Sequence, residues 1–224
     1  MRVAIAGAGA VGRSIARELI RSQHEVMLIE RKIEHVETSS VPEATWVHAD
    51  ACELSSLESA SLESYEIVIA ATGDDKANLV LSLLAKTEFG VSRVVARIND
   101  PRNEWLFDES WGVDVAVSTP RMLASLVEEA VSVGDLVRLM TLRQGQANLV
   151  EVTLPDNTAL AGKPVRKLQL PRDAALVTIL RGGRVIVPQQ DDPLEGRDEL
   201  LFVASVDVEN DLRAAVGLPT PRPN

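Results

Sequence analysis

Arg2-Val3-Ala4-Ile5-Ala6-Gly7-Ala8-Gly9-Ala10-Val11-Gly12, running on through a helical repeat to Val26-Met27-Leu28-Ile29-Glu30, sets the architecture of this chain. It reads as an apolar strand, a glycine turn, a helix and a second apolar strand that stops at an acid. Gly7 permits a tight strand-to-helix turn, Gly9 leaves the backbone bare where a pyrophosphate approaches, and Gly12 lets the helix lie close on the sheet. Val11, Ile15 and Leu19 recur at helical spacing, so the segment opening at Gly9 has one apolar stripe for the sheet while Arg13, Arg17 and Arg21 stay in water. The positive end of that helix points at the glycines.

Glu30 stands eighteen residues past Gly12, where a carboxylate ending the second strand can accept hydrogen bonds from both ribose hydroxyls of an adenosine. A 2′-phosphate there meets a negative charge. The expected ligand is therefore NAD(H), with ADP or ATP as alternatives, rather than NADP(H). Arg31 and Lys32 follow at once, add cations at the same end of the site and soften that exclusion.

A chain of 224 residues, 46% of them hydrophobic, has ample material for one large or two small globular domains. Its formal net charge of −10 argues against a nucleic-acid backbone or an anionic membrane as partner. One cysteine, Cys52, excludes an intramolecular disulfide, and three scattered histidines offer no zinc spacing, so the redox reading is cytosolic. No stretch approaches the roughly 18 to 20 apolar residues that cross a bilayer. The N-terminus has no signal-peptide pattern, its apolar run being broken by glycines and followed by Arg13 and Arg17.

Along the chain, a short polar helix is expected at Lys32 to Thr38 and a third strand at Thr45 to Asp50. A helical turn near Leu54 to Leu62 and a β-branched strand at Glu66 to Ala71 come next. Asp74 or Asp75 caps a helix from Ala77 to Glu88, whose run Leu79 to Leu84 is apolar nearly all round and reads as deeply buried; Gly90 ends it. A strand at Arg93 to Ile98 leads to Asp100-Pro101, the start of a helix reaching Trp111 and stopped by Gly112. Val113 to Ser118 is another strand, and Thr119-Pro120 opens a helix whose Met122, Leu123, Leu126, Val127, Ala130 and Val131 form a wide apolar face. Such alternation, with right-handed crossovers, makes an α/β, Rossmann-like doubly wound parallel sheet that takes ligands at the carboxyl ends of its strands.

Near Gly134-Asp135 the rhythm changes. Strands at Leu149 to Leu154, Ala175 to Leu180, Arg184 to Pro188 and Glu199 to Ala204 follow one another, with a hairpin at Gly182-Gly183 and short helices at Pro164 to Leu168 and Val208 to Val216. The expected division is 1–134 for the nucleotide-binding domain, 135–218 for a smaller α+β domain and 219–224 for a disordered proline-rich tail.

These residues resemble the RCK (regulator of K⁺ conductance) proteins of the Trk and Ktr potassium-uptake systems, most closely the TrkA type, over nearly the whole chain. The glycine turn is matched by Gly7, Gly9 and Gly12, the acid by Glu30, and a Gly-Asp-Ala/Thr motif by Ala49-Asp50-Ala51. The family's Thr-x-Asp-Asp-x-x-Asn-Leu element stands here as Thr72-Gly73-Asp74-Asp75-Lys76-Ala77-Asn78-Leu79. The resemblance implies a C-terminal RCK module and backbone from Ala8 through Gly9 and Ala10 to Val11 on the pyrophosphate. It also implies Glu30 on the adenosine ribose, Asp50-Ala51 on the adenine side, and Thr72-Gly73 with Arg97 at the phosphates or second ribose. Ala49 replaces a family glycine, and Ala10 stands where some ATP-preferring relatives carry arginine, which favours NAD(H).

The resemblance further implies a cytoplasmic regulator at the inner face of the cell membrane. It would gate a membrane K⁺-translocating subunit through a homo-oligomeric ring, alone or with a paralogous regulator, and without nucleic acid. The other class of function is a small NAD-dependent oxidoreductase. That reading lacks an acid or base: after Gly134 there is no histidine, and the only lysines are Lys163 and Lys167. Asp50 reads either as a ligand contact or as a cap of the following turn, and Arg97 either as a cation beside phosphates or as the partner of a surface acid. His24, His35 and His48 read as surface or packing residues, Cys52 as a packed thiol, and Trp46, Trp105 and Trp111 as core or interface anchors.

Overall fold

The computed structural model describes residues 1–131, 133–142 and 146–218. The tail expected to be disordered lies outside the described residues. Two compact units follow one another in the chain, Met1–Arg121 and a second beginning at Met122.

In the first unit, strands β1 (Arg2–Ala6) and β2 (Glu25–Glu30) flank helix α1 (Ala10–Arg21). Next come β3 (Thr45–His48), α2 (Leu54–Ser59), β4 (Ile67–Ala70), α3 (Asp75–Thr87), β5 (Arg93–Ile98) and β6 (Val115–Ser118). The six strands form one parallel sheet in the order β3-β2-β1-β4-β5-β6. The central strands β1, β2 and β4 are mostly apolar because both faces are covered, while the edge strands β3 and β6 are less buried. Val3, Ile5, Val26 and Leu28 turn to one face and pack with Ala16, Ile15 and Leu19 of α1. Their neighbours Ala4, Ala6, Met27 and Ile29 turn to the other, against Leu57 of α2 and Leu81 and Ala85 of α3. From β1 the chain winds outward through β2 and β3, then returns to place β4 on the other side of β1. That reversal leaves a crevice at the carboxyl ends of β1 and β4.

Several expectations are corrected here. The helix expected from Asp100 to Trp111 is two 3₁₀ turns, Pro101–Leu106 and Glu109–Trp111. Asp100 caps the first and Asp108 the second through their side chains, while buried Phe107 plunges into the core between them and breaks the helix. The polar helix at Lys32 to Thr38 is likewise two 3₁₀ turns, Ile33–His35 and Thr38–Ser40, neither of which buries a residue that could hold a longer helix. Within α3, Leu79 and Leu81 are buried but Val80 is 37% exposed, because only one side of the helix rests on the sheet. Trp105 is 75% exposed and so is no core anchor, whereas Trp46 and Trp111 pack on the two faces.

Helix α4 (Thr119–Val131) starts at the end of β6. The second unit then holds β7 (Leu136–Leu142), β8 (Ala147–Thr153), β9 (Ala174–Arg181), β10 (Arg184–Ile186), β11 (Glu199–Ser205) and α5 (Glu209–Ala215). They form an antiparallel sheet, β10-β9-β11-β8-β7. Its core gathers Val150, Val152, Ile179, Leu200 and Phe202 under Leu212 of α5. Strand β7 escaped the sequence reading: its register against β8 shifts between Arg138 and Met140, which breaks the period-two alternation that marks a strand. The helix expected at Pro164 to Leu168 is a single 3₁₀ turn, Val165–Lys167. Asp198, fully buried before β11, is clasped by Arg181 through Nε to Oδ1 at 2.6 Å and Nη2 to Oδ2 at 2.8 Å.

Candidate functional site

A cavity of about 640 Å³ opens in the first unit at the crevice between β1 and β4. Its floor is the glycine turn. Gly7 has φ +96°, and a Cβ there would stand 2.8 Å from both Cα and N of Thr72, so this turn and the turn after β4 are packed backbone against backbone. A Cβ on Gly12 would come within 1.9 Å of the Gly7 carbonyl oxygen, so α1 is pressed onto the turn. Gly9 is the opposite case. Nothing lies within 4 Å of its virtual Cβ, and it caps α1 without a side chain. Among the described residues no acceptor meets the N–H groups of Ala10, Val11 or Gly12, which are the donors a helix start leaves free.

Glu30 closes one end. It is buried, with its carboxylate at the cavity; Oε2 accepts the Ala8 N–H and Oε1 the Lys32 N–H, each at 2.9 Å. His35 Nδ1 lies 4.0 Å from Oε1. Beside it, the Arg31 guanidinium is 3.5 Å from Asp50 Oδ2, while Asp50 Oδ1 accepts the Cys52 N–H at 2.9 Å. Burial and the Asp50 charge push the Cys52 thiol up from its ordinary value, which keeps it protonated and unreactive at neutral pH.

The other end is built by the turn after β4 and the end of β5. Buried Asn78 holds both: its Oδ1 accepts Thr72 N–H at 3.0 Å and Thr72 Oγ1–H at 2.6 Å, and its Nδ2 donates to the Arg97 carbonyl at 2.8 Å. Arg97 lines the cavity, and its Nε is buried without a hydrogen-bond partner. Asp74 caps α3 by accepting Lys76 N–H at 2.9 Å. Asp75 does not cap; its carboxylate turns to the loop after β5 and accepts from Asn99, Asp100 and Asn103. Burial works against its charge, but those hydrogen bonds outweigh it and hold the carboxyl below the usual aspartate range.

Of the residues singled out from sequence, Gly7, Gly9, Ala10, Val11, Glu30 and Arg31 line the cavity, as do Asp50, Ala51, Thr72, Gly73 and Arg97. Ala8 and Gly12 do not: Ala8 is fully buried with its N–H given to Glu30, and Gly12 backs the turn from within the helix. Asn78 stood within the quoted Thr72–Leu79 element but was given no role, and Asn99 and Asn103 were missed. Asn78 carried a signal, since Thr72, Asp75 and Asn78 are spaced three apart across a helix start. His35 and Lys32 also line the Glu30 end. Among the described residues no helix is long and apolar enough to cross a membrane, and no three His, Cys, Asp or Glu side chains are grouped to hold a metal ion.

The family model described as TrkA-N domain matches residues 3–119, and that described as TrkA-C domain matches residues 149–217. The Trk system potassium uptake protein TrkA of Mycobacterium tuberculosis is 71% identical over 212 residues, covering 95% of this chain and 96% of that protein. A TrkA homolog of Archaeoglobus fulgidus is 26% identical over 99% of this chain and 51% of its own length. Among solved structures, the GsuK channel bound to NAD superposes with a TM-score of 0.69 at 16% identity, over 100% of this chain and 40% of that one. The TrkA-N domain of the inner membrane protein YbaL from Escherichia coli does so with a TM-score of 0.53 at 18% identity, over 58% of this chain and 96% of that one. The two superpositions establish the fold, and the family models together with the mycobacterial relative establish that this chain belongs to the TrkA family of Trk potassium-uptake proteins.

Proposed function

We propose that this protein is a nucleotide-sensing regulatory subunit of potassium uptake. An adenine nucleotide, NAD(H) in first place and ADP or ATP in second, binds in the cavity of the first unit. The observation that carries this reading is the bare main chain at Gly9, with a buried carboxylate at one end of the cavity and an unpaired buried guanidinium nitrogen at the other. A dinucleotide's phosphates suit the free N–H groups of Ala10 to Gly12, its adenosine ribose suits Glu30, and Arg97 gives a second anionic or hydroxylated group a partner. Asp50 and Ala51 lie on the adenine side of this arrangement, and Thr72 and Gly73 beside the phosphates or the second ribose.

The protein binds and does not transform its ligand. The cavity's one histidine and one lysine among the described residues, His35 and Lys32, sit at the Glu30 end, away from the end proposed for a nicotinamide. Binding acts by population shift: the ligand stabilises one arrangement of a homo-oligomer at the cytoplasmic face of the membrane, and a K⁺-translocating partner responds. Support for self-association comes from α4, where Leu123 is 63% exposed and Leu126 and Val127 are each 56% exposed in the single chain.

Calorimetric titration with NADH, ADP and ATP, alongside K⁺ flux in cells, tests the proposal. Wild type is expected to bind at least one of them, and Glu30→Arg to lose that binding and the nucleotide response of the flux. Unchanged affinity in Glu30→Arg, or no binding by wild type, overturns it. A steady 340 nm absorbance in the presence of NADH and candidate carbonyl substrates is the expected result for a sensor; turnover would make it an oxidoreductase.

A further inference from the structure

Among the described residues of the first unit, two carboxylates are buried, Glu30 and Asp75, and only Glu30 faces the cavity. Asp75 instead collects four hydrogen bonds. Its Oδ1 accepts Asn99 N–H at 2.7 Å and Asn99 Nδ2–H at 2.9 Å; its Oδ2 accepts Asp100 N–H at 3.0 Å and Asn103 Nδ2–H at 2.8 Å. Asn99 Nδ2 donates in addition to the Thr72 carbonyl at 3.0 Å. Thr72 lines the cavity and is fixed from its other side by Asn78, which also holds the Arg97 carbonyl.

A continuous polar chain therefore runs from the Arg97 end of the cavity wall through Asn99 and Asp75 to Asn103. Asn103 stands in the 3₁₀ turn Pro101–Leu106, and its neighbour Glu104 pairs with Arg121 in the first turn of α4. We infer that Asp75 is a positioning residue that couples occupancy of the Arg97 end of the cavity to the setting of the Pro101–Leu106 turn and of the start of α4. The inference rests on the nucleotide reading of the cavity and names how that site reports its occupancy.

The physical reason is the lack of slack in the hub. A buried carboxylate whose two oxygens each accept two donors cannot let one of them go without leaving a partly buried N–H unpaired. When Thr72 moves to meet a ligand, Asn99 must follow or lose a bond, and Asp75 carries that shift to Asn103. The last step is softer. Glu104 and Arg121 are half-exposed, so their pair registers the position of the turn rather than enforcing it.

The test uses the full chain with ADP and AMP as probes, in wild type, Asp75→Asn and Asn103→Ala. Amide hydrogen exchange is followed in the segments 72–79, 99–106 and 117–123. In wild type, ADP is expected to slow exchange in all three. In Asp75→Asn the slowing stays in 72–79 and is lost from the other two, and in Asn103→Ala it is lost from 117–123. Asp75→Asn is expected to weaken ADP by about tenfold while AMP, which lacks the second phosphate, changes by no more than about twofold. Slowing that still reaches 99–106 and 117–123 in Asp75→Asn, or a parallel loss of ADP and AMP affinity, overturns the inference. If wild type binds neither nucleotide, exchange without ligand decides the link: faster exchange than wild type at 99–106 and 117–123 in Asp75→Asn supports it, and unchanged exchange refutes it; the proposed function itself fails only if NADH and ATP are not bound either. Should Asp75→Asn not fold, Asn103→Ala carries the same comparison.

Discussion

Gly9→Ala and Gly12→Ala, the same substitution three residues apart, are expected to have opposite signatures. At Gly12 the new methyl would stand 1.9 Å from the Gly7 carbonyl oxygen and 3.1 Å from its carbon. An ordinary contact is about 3.4 Å or more, so α1 and the turn must part by more than an ångström against backbone rather than against a yielding side chain. Overpacking of this kind costs about 1–3 kcal/mol, partly offset by the ~1 kcal/mol that alanine gains over glycine inside a helix. At Gly9 nothing lies within 4 Å and φ is −69°, so the backbone accepts alanine. The loss there is that of a poorer helix cap, up to about 1 kcal/mol, but the methyl enters the space proposed for the phosphates. Urea unfolding and calorimetry with ADP and NADH separate the two. Gly12→Ala should lower the unfolding midpoint and weaken binding together, whereas Gly9→Ala should lower the midpoint by no more than the poorer cap accounts for and weaken binding by about tenfold or more. A Gly12→Ala protein as stable as wild type would refute the close approach of α1 to the turn. A Gly9→Ala protein that binds both ligands undiminished would refute a main-chain phosphate cradle.

Three further outcomes are expected. Asp198→Ala removes the buried acceptor of Arg181 and of the Glu195 N–H, while Glu195 and the Pro193 carbonyl still hold the partly exposed guanidinium, so it should destabilise the second unit by about 1–3 kcal/mol, measured by denaturant unfolding; a loss under about 0.5 kcal/mol would mark the pair as incidental. Arg97→Met keeps the packing of the stem but removes a buried nitrogen that has no partner, so stability should hold or rise while ADP affinity falls; a drop in both would make Arg97 structural. Asp75 governs an acid limb. Burial favours its neutral form, yet the hydrogen bonds from Asn103, Asn99 and Asp100 win and leave its folded value below the ordinary 3.8. Its contribution is therefore complete at pH above the unfolded value and is lost as pH falls through the folded one. Asp75→Asn should flatten the stability profile below about pH 4, and an acid limb as steep as wild type would contradict the assignment.

Most of the parallel sheet could be read from the chain, because its strands are apolar on both faces and its turns are punctuated by Gly7, Asp74, Gly90 and Asp100-Pro101. The failures have particular causes. A helix was expected after Asp100 because an aspartate-proline start is a strong signal, but Phe107 is claimed by the core and Asp108 supplies a second cap within eight residues of the first. Strand β7 was hidden by a register shift that no local pattern records. The site divides in the same way. Glycines and a strand-end acid announce themselves by spacing, so the floor of the cavity and its Glu30 end were visible. The Arg97 end depends on Asn78, Asn99 and Asn103, whose roles arise mainly from hydrogen bonds between segments 19 to 28 residues apart, as between Asp75 and Asn99.

The double duty of Glu30 bears on any attempt to redesign this pocket for a 2′-phosphorylated dinucleotide. The obvious swap, acid for a neutral or basic side chain, would remove the shared acceptor of two amides, Ala8 in the floor and Lys32 in the rim. On the proposed reading, preference and scaffold are thus stitched with one thread. A successful conversion would have to supply a new acceptor for the Ala8 amide before it could offer anything to the phosphate.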